Sequence, residues 1–232
     1  MDRHLVDGRL RRTSRDGVVG TSAGVLDDYG CLADGLLALH QATGEPRWLA
    51  VATELLEVAV DRFADPAAAG AFYDTADDAE RLVRRPSDPA DNASPSGASA
   101  VTGALLTASA LADPEVSTRF RDVAEAALAR AGLLIGRAAR FAGQWSAVAE
   151  AWLAGPVQVA VVGEGPAAED LRAAAVAGVA GGAVVLAGEP DGAPLLAGRP
   201  LVAGAPAAYV CRGFVCDRPV TTVEELAAAL TH

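Results

Sequence analysis

The apolar positions change their period along the chain, and that change divides it. Over about 29–42, Tyr29, Leu32, Leu36 and Leu39 recur at three- and four-residue spacing, which predicts an amphipathic helix. Asp27 or Asp28 is placed to cap its start. Gly44-Glu45-Pro46 breaks the pattern, and Pro46 suits the first turn of a second helix reaching about 63. Trp48, Leu49, Ala52, Leu55, Leu56 and Ala59 form its apolar stripe. So short a break predicts antiparallel neighbours, a helical hairpin. A second hairpin follows: Ser94-Pro95-Ser96 opens a helix to about 112, and Asp113-Pro114 turns the chain into another ending near 131. A further helical stretch, interrupted near Gly143, reaches about 153. Repeated helical hairpins, rather than an α/β alternation, are the expected plan here.

Two stretches lie outside that pattern. Residues 1–26 read as loop, punctuated by Gly8, Gly17, Gly20 and Gly24, with turn signals at Asp7-Gly8 and Asp16-Gly17. A domain seldom opens on so long an irregular segment, which predicts that something precedes it. Residues 64–94 form an excursion that mixes aromatics, acids and arginines, including Gly70 to Thr75 and Arg84 to Asn92. Excursions of that length in compact domains are commonly functional.

At Gly155-Pro156 the character changes. Val157 to Val162 reads as a strand, Pro166 to about 177 as a helix, Ala183 to Ala187 as a second strand and Ala207 to Cys211 as a third. Thr222-Val223-Glu224-Glu225 is a capping box before a short last helix. Strand, helix, strand predicts a small parallel βαβ unit.

Composition narrows the function. Hydrophobic residues make up 51% of the 232 and aromatics only 5%, so the core is built from small side chains. A net charge of -11 argues against a nucleic-acid partner, since phosphate binding needs clustered Lys and Arg. The basic patch Arg9, Arg11, Arg12, Arg15 is short and interrupted, and reads as a solvated loop. No apolar run nears the roughly 18 residues of a membrane span. The start, Met1 to Leu5, is polar with no apolar signal core, so cytoplasm is the expected location. Three cysteines do not describe a secreted disulfide framework. Cys211 and Cys216 have four residues between them, unlike a redox pair with two. With only His4, His40 and His232 as imidazoles, none at metal spacing, no zinc site is expected. Cys211 and Cys216 therefore read as structural or incidental, and Cys31, on an apolar helix face, as core.

Several segments, in order across nearly the whole chain, resemble the thioredoxin-domain-containing family related to spermatogenesis-associated protein 20. They are Leu26 to Tyr29, Leu32 to Leu39, Ala42 to Leu49, Gly70 to Thr75, Pro95-Ser96-Gly97 and Ala208 to Arg212. The resemblance implies a mainly α fold: a partial (α/α) toroid of helical hairpins, six-hairpin glycosidase-like, over 1–155, with a small C-terminal α/β extension over 156–232. It implies that the thioredoxin-like domain and the first hairpins of the ring are missing here. Half a ring leaves inner helix faces open, so a partner chain, a second copy or a truncated gene model is expected. Two positions depart from the family pattern: Ser87, where Lys is usual, and Ala98, where Asn is usual.

By analogy with helical toroids, polar groups near the starts of inner helices line a central pocket. That selects Asp27, Asp28 and Tyr29 at one helix start, Asp91, Asn92 and Ser96 at the next, and Tyr73, Asp74 and Arg85 between them. Paired carboxylates beside aromatics suit a sugar or polyol, with acid and base roles if their environments differ. The bland reading makes Asp28 and Ser94 helix caps and Tyr73 core. A second functional reading is a non-catalytic interaction module. A third is nucleotide binding by Gly163-Glu164-Gly165-Pro166-Ala167-Ala168, which fits G-x-G-x-x-A, with Glu189 after the next strand. Glu164 puts negative charge where a pyrophosphate would lie, and a tight turn explains the glycines alone. No cofactor or metal is expected.

Overall fold

A computed structural model describes residues 3–80 and 82–231; Met1, Asp2 and His232, named above, lie outside the described residues. Within them are seven α-helices and eight short strands. The chain opens on two small antiparallel hairpins, β1 (Leu5–Val6) with β2 (Arg9–Leu10) and β3 (Ser14–Arg15) with β4 (Val18–Val19). The loop expected over 1–26 is corrected by these hairpins. Their turns are Asp7-Gly8 and Asp16-Gly17, where both residues of each pair have positive φ, the conformation that matches the strand twist.

The helical part is two hairpins and a fifth helix. Helix α1 (Leu26–Thr43) pairs with α2 (Pro46–Phe63), and α3 (Gly97–Leu111) with α4 (Pro114–Arg137); α5 (Gly143–Ala154) follows a single 3-10 turn, Ala139–Phe141. Helix α1 starts three residues before its expected first residue, with Val25 as cap. Asp28 reaches back to accept the Val25 N–H at 2.9 Å, so it acts from the first turn and not as the cap itself. Helix α1 ends on Gly44, which has a φ of 71° and donates its N–H to His40 O. Helix α4 outruns its expected end near 131 because Leu134 and Ile135 keep packing on the core.

Helices α1 and α3 lie side by side, with their N-termini at the same end. A Cβ on Gly30 would sit 2.6 Å from Val101 N, and one on Gly97 would sit 2.9 Å from Asp27 N. Glycine at these positions lets the two backbones touch. Gly30→Ala is expected to destabilise by about 1–3 kcal/mol through overpacking, read as a lower urea midpoint.

The tail forms one four-stranded sheet, in the order β6 (Val184–Gly188), β5 (Val157–Val162), β7 (Ala207–Arg212), β8 (Val215–Cys216). Strands β5 and β6 are parallel across α6 (Pro166–Gly178), as expected; β7 and β8 are antiparallel to their neighbours. Strand side chains alternate between faces. Ala160, Val162, Val184, Leu186, Ala207, Tyr209 and Cys211 join the helical core. Val159, Val161, Val185, Ala208 and Val210 pack on Ala168, Leu171 and Ala175 of α6 and Leu226 of α7 (Val223–Leu230). Buried on both faces, β5 reads as an apolar run broken only by Gln158. Two glutamines tie the sheet to the helices: Gln158 donates to Ala110 O at 2.6 Å, and Gln41 accepts the β6 edge N–H of Val185 at 3.0 Å.

One expectation about cysteine fails and another is narrowed. Cys31 is exposed, because the buried face of α1 is carried by Leu26, Tyr29, Ala33, Leu36, Leu37 and His40, and Cys31 points away from it. Cys211 and Cys216 are not incidental: they form a disulfide between directly paired residues of β7 and β8. Strand β8 went unseen because two residues carry no period.

Candidate functional site

The starts of α1 and α3 meet beneath the excursion that joins the two hairpins. The excursion is sewn down by its backbone. Tyr73 N–H donates to Phe63 O at 2.8 Å, Asp74 N–H to Pro86 O at 2.8 Å, and Leu26 N–H to Asp74 O at 3.0 Å. Arg85 donates to Thr75 O at 2.5 Å and to Arg62 O at 3.3 Å, which holds its guanidinium 4.0 Å over the Tyr73 ring. Asp27, Tyr73, Asp74 and Arg85 are therefore brought to one end of the α1–α3 pair.

Their electrostatics differ. Asp27 lies 3.7 Å from the Arg12 guanidinium. The Asp74 carboxyl is pushed up from its ordinary range, first by burial, with the charges of Asp88 and Asp27 adding to the effect. A carboxyl whose folded pKa is raised contributes stability that is present below its unfolded pKa and lost as pH rises through the folded one. Asp74→Asn is accordingly expected to raise the melting temperature near neutrality and to flatten its decline as pH rises above the ordinary carboxylate range of about 4. Thermal melts from that range up to neutrality check it.

The remaining five candidates have other work. Asp28 accepts the Val25 N–H and pairs with Arg12 at 3.4 Å. Tyr29 is buried against Phe63, with ring centroids 5.2 Å apart, and its hydroxyl accepts the Leu10 N–H at 3.0 Å. It anchors the first β-hairpin to the helices. Asp91 is 5% exposed and accepts four hydrogen bonds. Oδ1 takes Ser96 N–H and Ser99 Oγ–H; Oδ2 takes Gln144 N–H and Trp145 N–H. Ser96 caps α3 by accepting the Ser99 N–H at 3.1 Å. Asn92 is exposed; its side-chain amide donates to Ala90 O at 3.4 Å and its N–H to Ser94 O at 3.0 Å. The two departures from the family pattern are also packed: Ser87 donates to Phe72 O at 2.7 Å and Ala98 is buried.

Arg12 and Asp88 join the cluster although neither stood among the site residues read from the sequence. Asp88 was visible as an acid beside Pro89 in the excursion. Arg12 stood only in the basic patch read as a solvated loop, since only the fold brings the segment between the two β-hairpins over the start of α1. At the tail, Gly163 and Gly165 have positive φ and stand between β5 and α6, as the glycine motif requires. Glu164 and Glu189 face each other there, and the Glu189 carboxyl is pushed up by Glu164. Two carboxylates at that mouth oppose a phosphate. Among the described residues, no group of three or more His, Cys, Asp or Glu could hold a metal ion, and no helix is long and apolar enough to cross a membrane.

Helical hairpins with a small α/β tail and an acidic cluster at two helix starts thus define the molecule. No family model matches the chain. Curated relatives do match: the chain is similar to spermatogenesis-associated protein 20 of Mus musculus, with 35% identity over 116 residues. It is similar to the same protein of Rattus norvegicus and of Homo sapiens at 34%. Each match covers 46% of this chain and 15% of the relative, so the chain spans a small part of the length of the proteins it resembles. The relationship expected from the ordered motifs is the one these matches show.

Proposed function

We propose that the chain is a segment of an (α/α) toroid and that the cluster at the starts of α1 and α3 forms one wall of a sugar- or polyol-binding pocket. The observation that carries this is the convergence of Asp27, Tyr73, Asp74 and Arg85 at adjacent helix starts. Asp27 lies beside a guanidinium and Asp74 in a half-buried setting, so the two carboxyls offer a ligand different surroundings. Their role is hydrogen bonding to hydroxyls, with acid–base chemistry reserved for the closed ring. The test is a thermal-shift and calorimetric titration of the chain with a panel of neutral monosaccharides and polyols. Saturable stabilisation that Asp74→Ala abolishes supports the reading. A flat response across the panel, repeated with a partner chain present, sinks it.

A second reading, a non-catalytic module that completes a ring with another chain, is favoured by a different observation. The flank of α1 facing away from α3 is apolar. Leu10, Leu32, Leu36, Leu39 and Trp48 border an open groove of about 690 Å³, and Leu39 is 43% exposed. The occupant we assign is a helical hairpin from a thioredoxin-domain-bearing chain of the same family, or from a second copy, in the cytoplasm. Light scattering after size exclusion decides: a dimer, or a complex lost in Leu39→Glu, supports the module. A well-folded monomer that recruits neither chain removes it.

A further inference from the structure

The Cys211–Cys216 disulfide belongs to neither site above. It joins β7 to the two-residue edge strand β8 across a turn at Gly213-Phe214, where both residues have positive φ. The hairpin is already specified by that turn and by the β7 ladder to β5. A cross-link closing so short a loop removes less chain entropy than a long one, and it adds to a hairpin already fixed. Its two sulfurs are unlike. Cys211 is fully buried under the sheet, whereas Cys216 is exposed at the edge.

Arg199 supplies the second, independent observation. Its Nη2 lies 3.5 Å from Cys211 Sγ and 3.3 Å from Cys216 Sγ. Nη1 is clamped by Leu195 O at 2.5 Å and Ala197 O at 3.1 Å, so the guanidinium is fixed in that place. Arg199 is half-buried, its Nε has no partner, and among the described residues it makes no ion pair. A half-buried cation without a counter-anion among the described residues, held against two sulfurs, is arranged for an anion that is absent while the bond is closed. That anion is a thiolate. Beside it runs a cavity of about 570 Å³ lined by Arg199, Phe214, Gln158, Leu195 and Arg121, which leaves room for an approaching group.

We propose that Cys211–Cys216 is a thiol–disulfide exchange site, with Cys216 as the attacked sulfur and Arg199 as the group that stabilises the departing Cys211 thiolate. The co-reactant is a dithiol. One of its thiolates attacks Cys216 Sγ, the Cys211–Cys216 bond breaks, and its electron pair leaves on Cys211 Sγ beside the guanidinium. The second thiolate of the dithiol then attacks the sulfur bonded to Cys216 and releases Cys216 as a thiolate. The two protons given up by the dithiol end on Cys211 and Cys216. Two electrons have moved, the dithiol is oxidised to a disulfide and the chain is reduced. The proposal is independent of sugar binding and of ring completion.

The experiment uses the full chain carrying Cys31→Ser, so that only this pair reports. Reduction by dithiothreitol is followed by maleimide mass shift, and a stalled mixed disulfide with glutathione is located by peptide mass mapping. The expected result is native-state reduction, a glutathione adduct on Cys216, and a rate about tenfold slower in Arg199→Leu but largely retained in Arg199→Lys. Reduction that occurs only on the timescale of global unfolding, an adduct on Cys211, or an Arg199→Leu rate equal to the parent's would overturn it. If Arg199→Leu does not fold, the adduct position in the Cys31→Ser chain decides alone: Cys216 supports the proposal, and Cys211 or no adduct overturns it.

Discussion

Replacing Asp91 with Ala is expected to lower the stability of the chain by about 3–5 kcal/mol, the largest effect of any single polar substitution. The reason is where its two oxygens go. Oδ1 satisfies the Ser96 N–H and the Ser99 hydroxyl at the start of α3, at 2.9 and 2.6 Å. Oδ2 satisfies the Gln144 and Trp145 N–H groups in the first turn of α5, at 2.9 and 3.2 Å. Helix α5 has no cap of its own, since its preceding residue is Ala142. Asp91 supplies that cap from fifty residues away, and its charge also suits the positive ends of two helices. The segment around it is fixed by the same contacts: Asp91 N–H donates to Phe141 O and the Trp145 indole to Pro89 O. Removing the carboxylate strands several buried donors in one place.

Asp91→Asn separates hydrogen bonding from shape. The amide keeps one acceptor oxygen and turns an NH2 toward donors on the other side. It is expected to lose nearly as much stability as the alanine variant, although it fills the same space. Urea unfolding checks both: the midpoint falls while the slope stays constant. A change within about 1 kcal/mol for either variant would mean that water replaces the carboxylate at no cost, and that Asp91 is free for another role.

That clasp shows how far the sequence could be read. The helices and the strands β5, β6 and β7 are legible because their apolar runs are long: α2 begins and ends where Pro46 and Phe63 place it, and the β5–α6–β6 unit is parallel as its order requires. Asp91 was legible as a residue worth singling out, but not as a cap in trans, because Gln144 is distant in sequence. Tyr29 was misjudged in the same way. At a helix start it looks like a pocket group, yet its hydroxyl is spent on Leu10 N–H in a β-hairpin whose strands are two residues long. The cysteines expose a different limit. Pairing of Cys211 with Cys216 depends on the register of β7 against β8, and a four-residue separation says nothing of register until the turn at Gly213-Phe214 is known. Asp27, Tyr73, Asp74 and Arg85 were chosen by analogy and do converge, because the excursion is laced to the helix start by main-chain bonds that no side-chain pattern encodes.

The tail supplies the other large effect. Ending the chain at Gly155 is expected to abolish the cooperative melt of the helical part, although the character of the sequence changes at that point. Leu186, Val184, Ala160 and Val162 are at most 1% exposed because they lie against the helices, and their partners would face water once the sheet is gone. Each fully buried Leu or Val side chain removed from such a core forfeits about 1.5–3 kcal/mol and an alanine methyl about 0.8 kcal/mol, so Leu186, Val184 and Val162 alone reach the lower range of a typical domain's whole stability. The loss is polar as well: Ala110 O would lose Gln158 and the Gln41 side chain would lose the β6 edge. The truncated chain is therefore expected to bind a hydrophobic dye, to sediment as aggregate and to melt without a transition. Gln158→Leu in the full chain is the milder companion, with an expected cost of about 1–3 kcal/mol for the stranded carbonyl. A truncated chain that stays monomeric and melts cooperatively would make the sheet an appendage, and would place the stability of the helices in the α1–α3 contact at Gly30 instead.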